Sequence, residues 1–274
     1  MHVDCSDGCD WRELATAPPP PPPPRIAPAE LAARARLDAY KPGFFDELFG
    51  GATRRRAVLE GEVQQASALD QQQHELAMIE HRRKFEQWSY QVKLAHGVLT
   101  NDVEAFRAAL SYLGAFDELE RFDDQVTLDS AVRGTVAFTC VIQDTELVPS
   151  EELKVSSSGK LSTKDMAAGK YWALFQDHVA SCALRIAREA YAILPVERVI
   201  VNVRISRLDS STGHLVAMPV LAFHATRDIL ARLNFKALDP SDALENFPHR
   251  MKLKKTTGFE PVEVMTADDQ WITT

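Results

Sequence analysis

The stretch KYWALFQDHVASCALRIAREAYAILPVERVIVNVRISR, residues 170–207, changes its hydrophobic period near its middle. Over about 170–194 the apolar residues recur with helical spacing, which predicts an amphipathic helix that Pro195 ends. Over 198–207 apolar and polar residues alternate, which predicts a half-buried strand. A long helix followed directly by such a strand indicates a domain in which the helix packs on a sheet.

Further strand-like segments lie on both sides of this helix. Upstream, Val126–Leu128 and Thr135–Ile142 are rich in β-branched and aromatic residues, and Arg133-Gly134 between them is typical of a turn. Downstream, Leu215–Ala225 predicts another strand, in which Pro219 indicates an edge position or a bulge.

The polar stretch over 148–160 is interpreted as a loop, and the order of elements is then β-β-α-β-β-α. We therefore predict the α+β class for residues 122–274, with a small, mainly antiparallel sheet of roughly three to five strands packed with one long helix.

A helical region is predicted over 28–115. No proline and only one glycine interrupt about 53–96, so this segment predicts one long helix of about 66 Å at 1.5 Å per residue. The tract Gln71–Gln73 interrupts its apolar residues, and a strict heptad pattern cannot be written. The helix is expected to pack as an antiparallel hairpin or loose coiled coil, within or between chains, or as one bent helix on its own domain.

The N-terminal region has a different composition. Pro18–Pro24 is an unbroken proline run, which predicts a stiff polyproline II rod. Residues 1–27 are therefore expected to form a disordered tail outside any packed core, either a spacer or a ligand for an SH3 or WW groove. A cluster of large apolar side chains follows at 44–49 and is predicted to bind a partner: Phe44, Phe45, Leu48 and Phe49.

The composition limits the function classes. A formal charge of −8 with 45% hydrophobic residues suits a soluble globular protein and argues against wholesale electrostatic binding to DNA or anionic lipid. The first residues lack a basic segment and an apolar segment, and no later stretch is long and apolar enough to cross a bilayer. We expect a cytoplasmic protein with reduced cysteines and without a membrane partner.

The predicted helix over 170–194 carries the candidate catalytic residues His178, Cys182 and Arg185 on one side. A thiol four residues from an imidazole can bind a metal or form a thiolate–imidazolium pair. The adjoining apolar face favours a structural interpretation, with Cys182 as a small core residue and His178 at its boundary. No metal and no cofactor are predicted. His2 with Cys5 and Cys9 lacks the spacing of a common zinc knuckle.

Two groups of cations are candidates for anion binding. Lys160 and Lys164 follow Ser156-Ser-Ser-Gly, but the first glycine of a phosphate loop is absent, so a flexible loop is predicted. The segment 250–255 alternates cations with apolar residues and predicts a basic edge strand that meets a nucleic acid or an acidic partner, or only protects the edge from aggregation. Its cations are Arg250, Lys252, Lys254 and Lys255. The acidic stretch 102–124 is interpreted as a solvated face.

Several segments resemble a family of uncharacterised bacterial proteins. They are Ser158–Ser162, Gln176–Glu189, Leu194–Val196, Leu238–Ala243 and Phe247–Met251. In that family a similar C-terminal domain follows a helical, coiled-coil-like region and often a small glycine-rich β domain. The similarity covers roughly residues 44–262, and the polyproline tail stands in place of the glycine-rich module. The resemblance implies a bacterial origin and assigns no catalytic residue.

These observations favour a non-enzymatic interaction or scaffold protein that oligomerises through its helical region. The alternative is a hydrolase or nuclease-like enzyme, with a site formed by His178, Cys182, Arg185 and the loop over 154–164. A second alternative is nucleic-acid binding through residues 250–255.

Overall fold

The computed structural model describes residues 5, 8–43, 51–122, 124–143, 148–155 and 159–269. Contacts divide the chain into two compact units, Glu13–Lys93 and a second unit that joins Met1–Arg12 to Leu94–Thr274. The helices are α1 (Trp11–Thr16), α2 (Pro28–Ala39), α3 (Gly51–Leu99), α4 (Val103–Tyr112), α5 (Asp117–Glu120), α6 (Ala168–Ile193), α7 (Arg227–Arg232) and α8 (Pro240–Ala243). Among the described residues, no helix combines the length and apolar character that a membrane span requires.

The long helix α3 confirms the prediction made for 53–96 and dominates the unit over 13–93. Helix α2 packs on it, and its N-terminus has no capping side chain of its own. Asp70 of α3 supplies the cap instead, because its carboxylate accepts hydrogen bonds from the backbone N–H groups of Ala29 at 3.2 Å and Glu30 at 2.7 Å. Residues about 40 positions apart in the sequence thereby fix the start of α2 to the middle of α3.

The second unit is built on a five-stranded sheet in the order β1-β2-β5-β6-β7. Two short antiparallel pairs, β3-β4 and β8-β9, accompany it. The strands are β1 (Gln125–Val132), β2 (Thr135–Ile142), β3 (Glu151–Val155), β4 (Leu161–Asp165), β5 (Arg198–Leu208), β6 (Leu215–Thr226), β7 (His249–Met251), β8 (Leu253–Lys254) and β9 (Gly258–Phe259).

The α+β prediction is confirmed, and the five-stranded sheet is mixed. Only β2 and β5 pair in parallel, while the other three pairings are antiparallel. Helix α6 lies between these two strands in sequence. It carries the chain back to the end of the sheet where β2 begins, so β5 runs parallel to β2. Side chains of α6 and of the central strands form the core, among them Phe138, Phe175, Ile186, Ile200 and Phe223.

Two local predictions about this sheet are confirmed. Arg133 and Gly134 both have positive φ, 50° and 74°, which fits a two-residue hairpin turn of the type that matches strand twist. The β5–β6 register shifts at Arg204, which pairs with Pro219, while Val203 pairs with Leu221. The extra residue forms a bulge, and the Pro219 carbonyl accepts a hydrogen bond from the N–H of Val262 at 3.0 Å.

The loop predicted over 148–160 is wrong for part of its length. Residues 151–155 form β3 and pair antiparallel with β4, Leu153 opposite Thr163. Nearly all side chains of this hairpin are exposed, so neither strand needs the apolar alternation that identifies a half-buried strand in a sequence.

The expectation that residues 1–27 lie outside any packed core is wrong at Trp11. Its side chain is 5% exposed, and its indole N–H donates to the backbone carbonyl of Ile193 at the end of α6. The N–H of Cys9 donates to the carbonyl of Ala192 at 3.2 Å. The C-terminus of a helix leaves carbonyls without intrahelical partners, and residues 9 and 11 satisfy two of them.

Candidate functional site

A thiol, an imidazole and a carboxylate meet inside the second unit. His178 and Cys182 lie one turn apart on α6, with 3.6 Å between His178 Nε2 and Cys182 Sγ. The Asp124 carboxylate, just before β1, reaches the same thiol, with Oδ2 at 3.9 Å from Sγ. The three potential ligand atoms all lie within 4.8 Å of one another. The cluster formed by Asp124, His178 and Cys182 is called the DHC cluster below.

The DHC cluster is largely shielded from solvent. Cys182 is fully buried, Asp124 is 1% exposed, and His178 is half-buried. The His178 ring stacks on Phe175 with 6.3 Å between centroids and 16° between planes. Phe175 in turn packs edge-on against Phe259 of β9. Aromatic side chains therefore pack beside the imidazole of the cluster.

Electrostatics argue against a free thiolate here. Burial, and after it Cys140 and Asp124, raises the pKa of the Cys182 thiol well above its ordinary value. Burial and then Asp124 also raise the pKa of the Cys140 thiol. Both thiols are therefore protonated at neutral pH, whereas a cysteine nucleophile requires a lowered pKa and access to its substrate. The DHC cluster does not have the properties of a hydrolase nucleophile.

Arg185, the third candidate on α6, is engaged by two acids. Its Nε lies 2.7 Å from Glu189 Oε1, and its Nη1 lies 2.9 Å from Glu118 Oε2. Glu189 has no exposed surface, so this ion pair balances a buried charge. The guanidinium therefore serves the packing of α6 and α5, and its charge is neutralised within the protein.

Lys160 and Lys164 lie in the β3–β4 hairpin, not on a loop beside the DHC cluster. Lys160 precedes β4, and Lys164 pairs across the hairpin with Glu152. An ion pair between Glu152 and Lys170 joins the hairpin to the first turn of α6. His178 lies eight residues further on, about 12 Å along the helix. The structure brings His178 and Cys182 together on α6, while Lys160 and Lys164 belong to the β3–β4 hairpin.

The cations of segment 250–255 lie on the edge strand β7 and just beyond it. Arg250 pairs with Asp269 at 3.5 Å and donates to the carbonyl of Val264 at 2.9 Å. Lys254 forms an ion pair with Glu260. An open groove of about 670 Å³ lies between 249–252 and 261–263. Internal acids reduce the positive charge of this edge, and nucleic-acid binding through it stays a prediction.

A second candidate site lies on α3, within the unit over 13–93. Five large apolar side chains are between 47% and 64% exposed there. They fall on five of the ten positions of one 4-3 repeat, and this repeat follows a single stripe along a helix. The ten positions are 58, 62, 65, 69, 72, 76, 79, 83, 86 and 90. This stripe is called the α3 seam, and its apolar members are Val58, Leu69, Leu76, Ile79 and Tyr90. The other predicted partner-binding residues, Phe44, Phe45, Leu48 and Phe49, lie outside the described residues.

Sequence reasoning missed Asp124. Its carboxylate belongs to an acidic stretch that was interpreted as solvated, and it lies 58 residues from Cys182. The only local signal is its position directly before a predicted strand.

Comparison with family models, with curated proteins and with solved structures finds no match to this chain.

Proposed function

We propose that the protein is a self-associating interaction protein, in which two copies of α3 pair antiparallel along the α3 seam. The supporting observation is the exposure of five large apolar side chains on one stripe of one helix. Single exposed apolar residues are ordinary on a protein surface. Five of the ten 4-3 positions over nine turns are apolar, so the seam is interrupted, and such a stripe is the kind of surface that a second helix covers.

The positions of the apolar residues along the α3 seam favour a second copy of this chain as the helix that covers it. In an antiparallel pair whose two-fold axis passes near residue 74, facing positions have numbers that sum to 148. Val58 then faces Tyr90, and Leu69 faces Ile79, so four of the five apolar side chains meet an apolar partner. A parallel, in-register pair matches each apolar residue with its own copy, but it also sets Glu62, Arg83 and Glu86 each against the same charge. It therefore has three like-charge contacts, where the antiparallel pair has two.

The polar positions of the α3 seam make the pairing reversible. Gln72 faces Leu76 and Gln65 faces Arg83 in the antiparallel register, and Glu62 faces Glu86 with like charge. Polar residues at such positions specify register at a cost in stability. We therefore expect a dimer whose population depends on protein concentration.

Light scattering coupled to size exclusion, over a dilution series of the full chain, tests the proposal. The wild-type protein is expected to shift from dimer to monomer on dilution. Leu76→Asp places a charge in the seam and is expected to give a monomer throughout the series. Leu31→Asp is the matched control, because Leu31 is 67% exposed on α2 and lies outside the seam. A wild-type monomer at every concentration contradicts the proposal, as does equal dissociation by both variants.

Cysteine cross-linking tests the orientation of the two helices. In a background with Cys5 and Cys9 replaced by Ser, an equimolar mixture of Gln72→Cys and Leu76→Cys chains is expected to form the mixed disulfide dimer. Leu76→Cys alone is expected to form little, because the two copies of residue 76 do not face each other in the antiparallel pair. Efficient cross-linking of Leu76→Cys alone contradicts the antiparallel arrangement.

A further inference from the structure

We infer that the DHC cluster is a zinc site, in which Asp124 Oδ2, His178 Nε2 and Cys182 Sγ are the ligands of one Zn²⁺ ion. The inference is independent of self-association, because all three residues belong to the unit built on the sheet. It assigns the cluster a bound ion and no reaction.

The separations between the ligand atoms support this assignment. Around tetrahedral Zn²⁺, with Zn–S near 2.3 Å and Zn–N or Zn–O near 2.0–2.1 Å, a sulfur and a nitrogen or oxygen ligand lie about 3.5–3.6 Å apart. The observed distances are 3.6 Å from Cys182 Sγ to His178 Nε2 and 3.9 Å to Asp124 Oδ2. The thiol and imidazole already have the required spacing. The carboxylate must move closer to both, because its oxygen lies within 4.8 Å of the imidazole nitrogen and a nitrogen and an oxygen ligand of tetrahedral Zn²⁺ lie about 3.3 Å apart.

The chemistry of the donor set selects the metal. A thiolate and an imidazole favour Zn²⁺ over Mg²⁺ and Ca²⁺, which prefer oxygen ligands alone. His178 and Cys182 are held at fixed spacing by α6, so two of the three ligands are preorganised. Binding converts the Cys182 thiol to a thiolate, and the released proton goes to solvent.

The position of the ligands defines what the ion does. Two ligands come from α6 and the third from the segment that leads into β1. The ion therefore joins the start of the sheet to the helix that covers it. Asp124 and Cys182 are 1% and 0% exposed, whereas His178 is half-buried. Three protein ligands leave the fourth position of a tetrahedral ion to a water molecule, and the side of His178 is where that position can be reached.

Cobalt titration of the metal-free full chain under reducing conditions tests the site. Wild-type protein is expected to bind one Co²⁺ with the visible absorption of tetrahedral cobalt and a sulfur-to-cobalt charge-transfer band, and added Zn²⁺ displaces both. Cys182→Ser is expected to lose the charge-transfer band. His178→Gln and Asp124→Asn are expected to weaken Zn²⁺ binding by more than about 100-fold, since losing even an outer partner of a metal ligand costs 10–100-fold.

Cys9→Ser is the matched control, because Cys9 is a half-buried thiol outside the DHC cluster. It is expected to leave the spectrum unchanged. If Cys9→Ser loses the band and Cys182→Ser keeps it, the N-terminal segment holds the metal and the assignment is overturned. A wild-type spectrum of octahedral, aqua-coordinated cobalt also overturns it.

The thermal unfolding midpoint tests the site in the wild-type chain, so the result does not depend on whether a variant folds. Zn²⁺ is expected to raise the unfolding midpoint of the wild-type chain, because a ligand that binds only the native state stabilises it by mass action. The nearly isosteric Asp124→Asn is expected to lose this rise. An equal rise in Asp124→Asn, or none in the wild type, contradicts the assignment.

Discussion

At the scale of single residues, Asp239 illustrates how one side chain starts an element that packs on α6. Its carboxylate oxygen Oδ1 accepts the N–H groups of Ser241 at 3.0 Å and Asp242 at 3.1 Å, the first donors of α8. Pro240 occupies the first helical position, where its missing N–H costs nothing. These contacts bring Ala243 and the following Leu244 into the core.

Asp239→Ala is expected to lower the free energy of unfolding by about 1 kcal/mol at neutral pH, because two donors lose their acceptor. The backbone N–H groups of Asp242 and Ser241 hold the pKa of Asp239 below its ordinary value. The folded pKa is therefore below the unfolded one, so this stabilisation is complete above an unfolded pKa of about 3.9 and is lost as the pH falls through the lowered value. Urea unfolding of wild type and variant across the acidic range measures the difference.

Asp239→Asn is the control for this prediction. Asparagine is also a good N-cap and does not titrate, so it is expected to keep most of the stability at neutral pH. An Asp239→Ala effect of the same size at every pH contradicts a role for the ionised carboxylate.

At the scale of elements, Asp70 determines whether α2 stays on α3. The side chain is 5% exposed, and its two oxygens cap the N-terminus of a helix 40 residues earlier. Asp70→Ala is expected to cost about 1–2 kcal/mol locally, since two part-buried N–H donors lose their acceptor. Hydrogen exchange should then be faster in peptides that cover 28–39 and unchanged in α6. Equal exchange in wild type and variant contradicts the prediction. Asp70→Asn should restore only part of the protection, because its amide offers one acceptor oxygen to the two N–H donors.

The predictable elements have a local signal in the sequence. Helix α6 has an apolar face, α3 has no proline and few glycines, and strands β2, β5 and β6 are rich in β-branched and other apolar residues. The turn at Arg133-Gly134 has a local chemical cause. The β3–β4 hairpin was missed because its side chains are exposed on both faces. The parallel pairing of β2 with β5 joins strands that are far apart in sequence, so no local pattern specifies it.

The residues of the candidate site also differ in whether a local pattern in the sequence predicts their contact. His178 and Cys182 are four residues apart on a helix with a regular hydrophobic period, so their proximity follows from helical geometry alone. Asp124 joins them only because the sheet places the start of β1 beside α6. Tertiary contacts of this kind require the folded chain, and spacing in the sequence does not contain them.

At the scale of the whole molecule, the sheet-containing unit includes residues from near the start of the sequence. Trp11 is 5% exposed and donates to the carbonyl of Ile193. Trp11→Ala is expected to lower the free energy of unfolding of this unit by about 3 kcal/mol, because a large buried side chain and a hydrogen bond are lost. Denaturant unfolding measures it, and the control Trp11→Phe should retain most of the packing. A loss below about 1 kcal/mol contradicts the assignment of Trp11 to the core.

The contact between Trp11 and Ile193 also imposes an order on biosynthesis. The two residues are separated by 182 positions, and a ribosome that adds 5–20 residues per second needs roughly 10–40 s to span them. During that interval the indole has emerged but its acceptor does not yet exist. A chaperone that recognises exposed aromatic side chains therefore has its longest opportunity at residue 11, and the nascent chain loses that binding site only when α6 is complete.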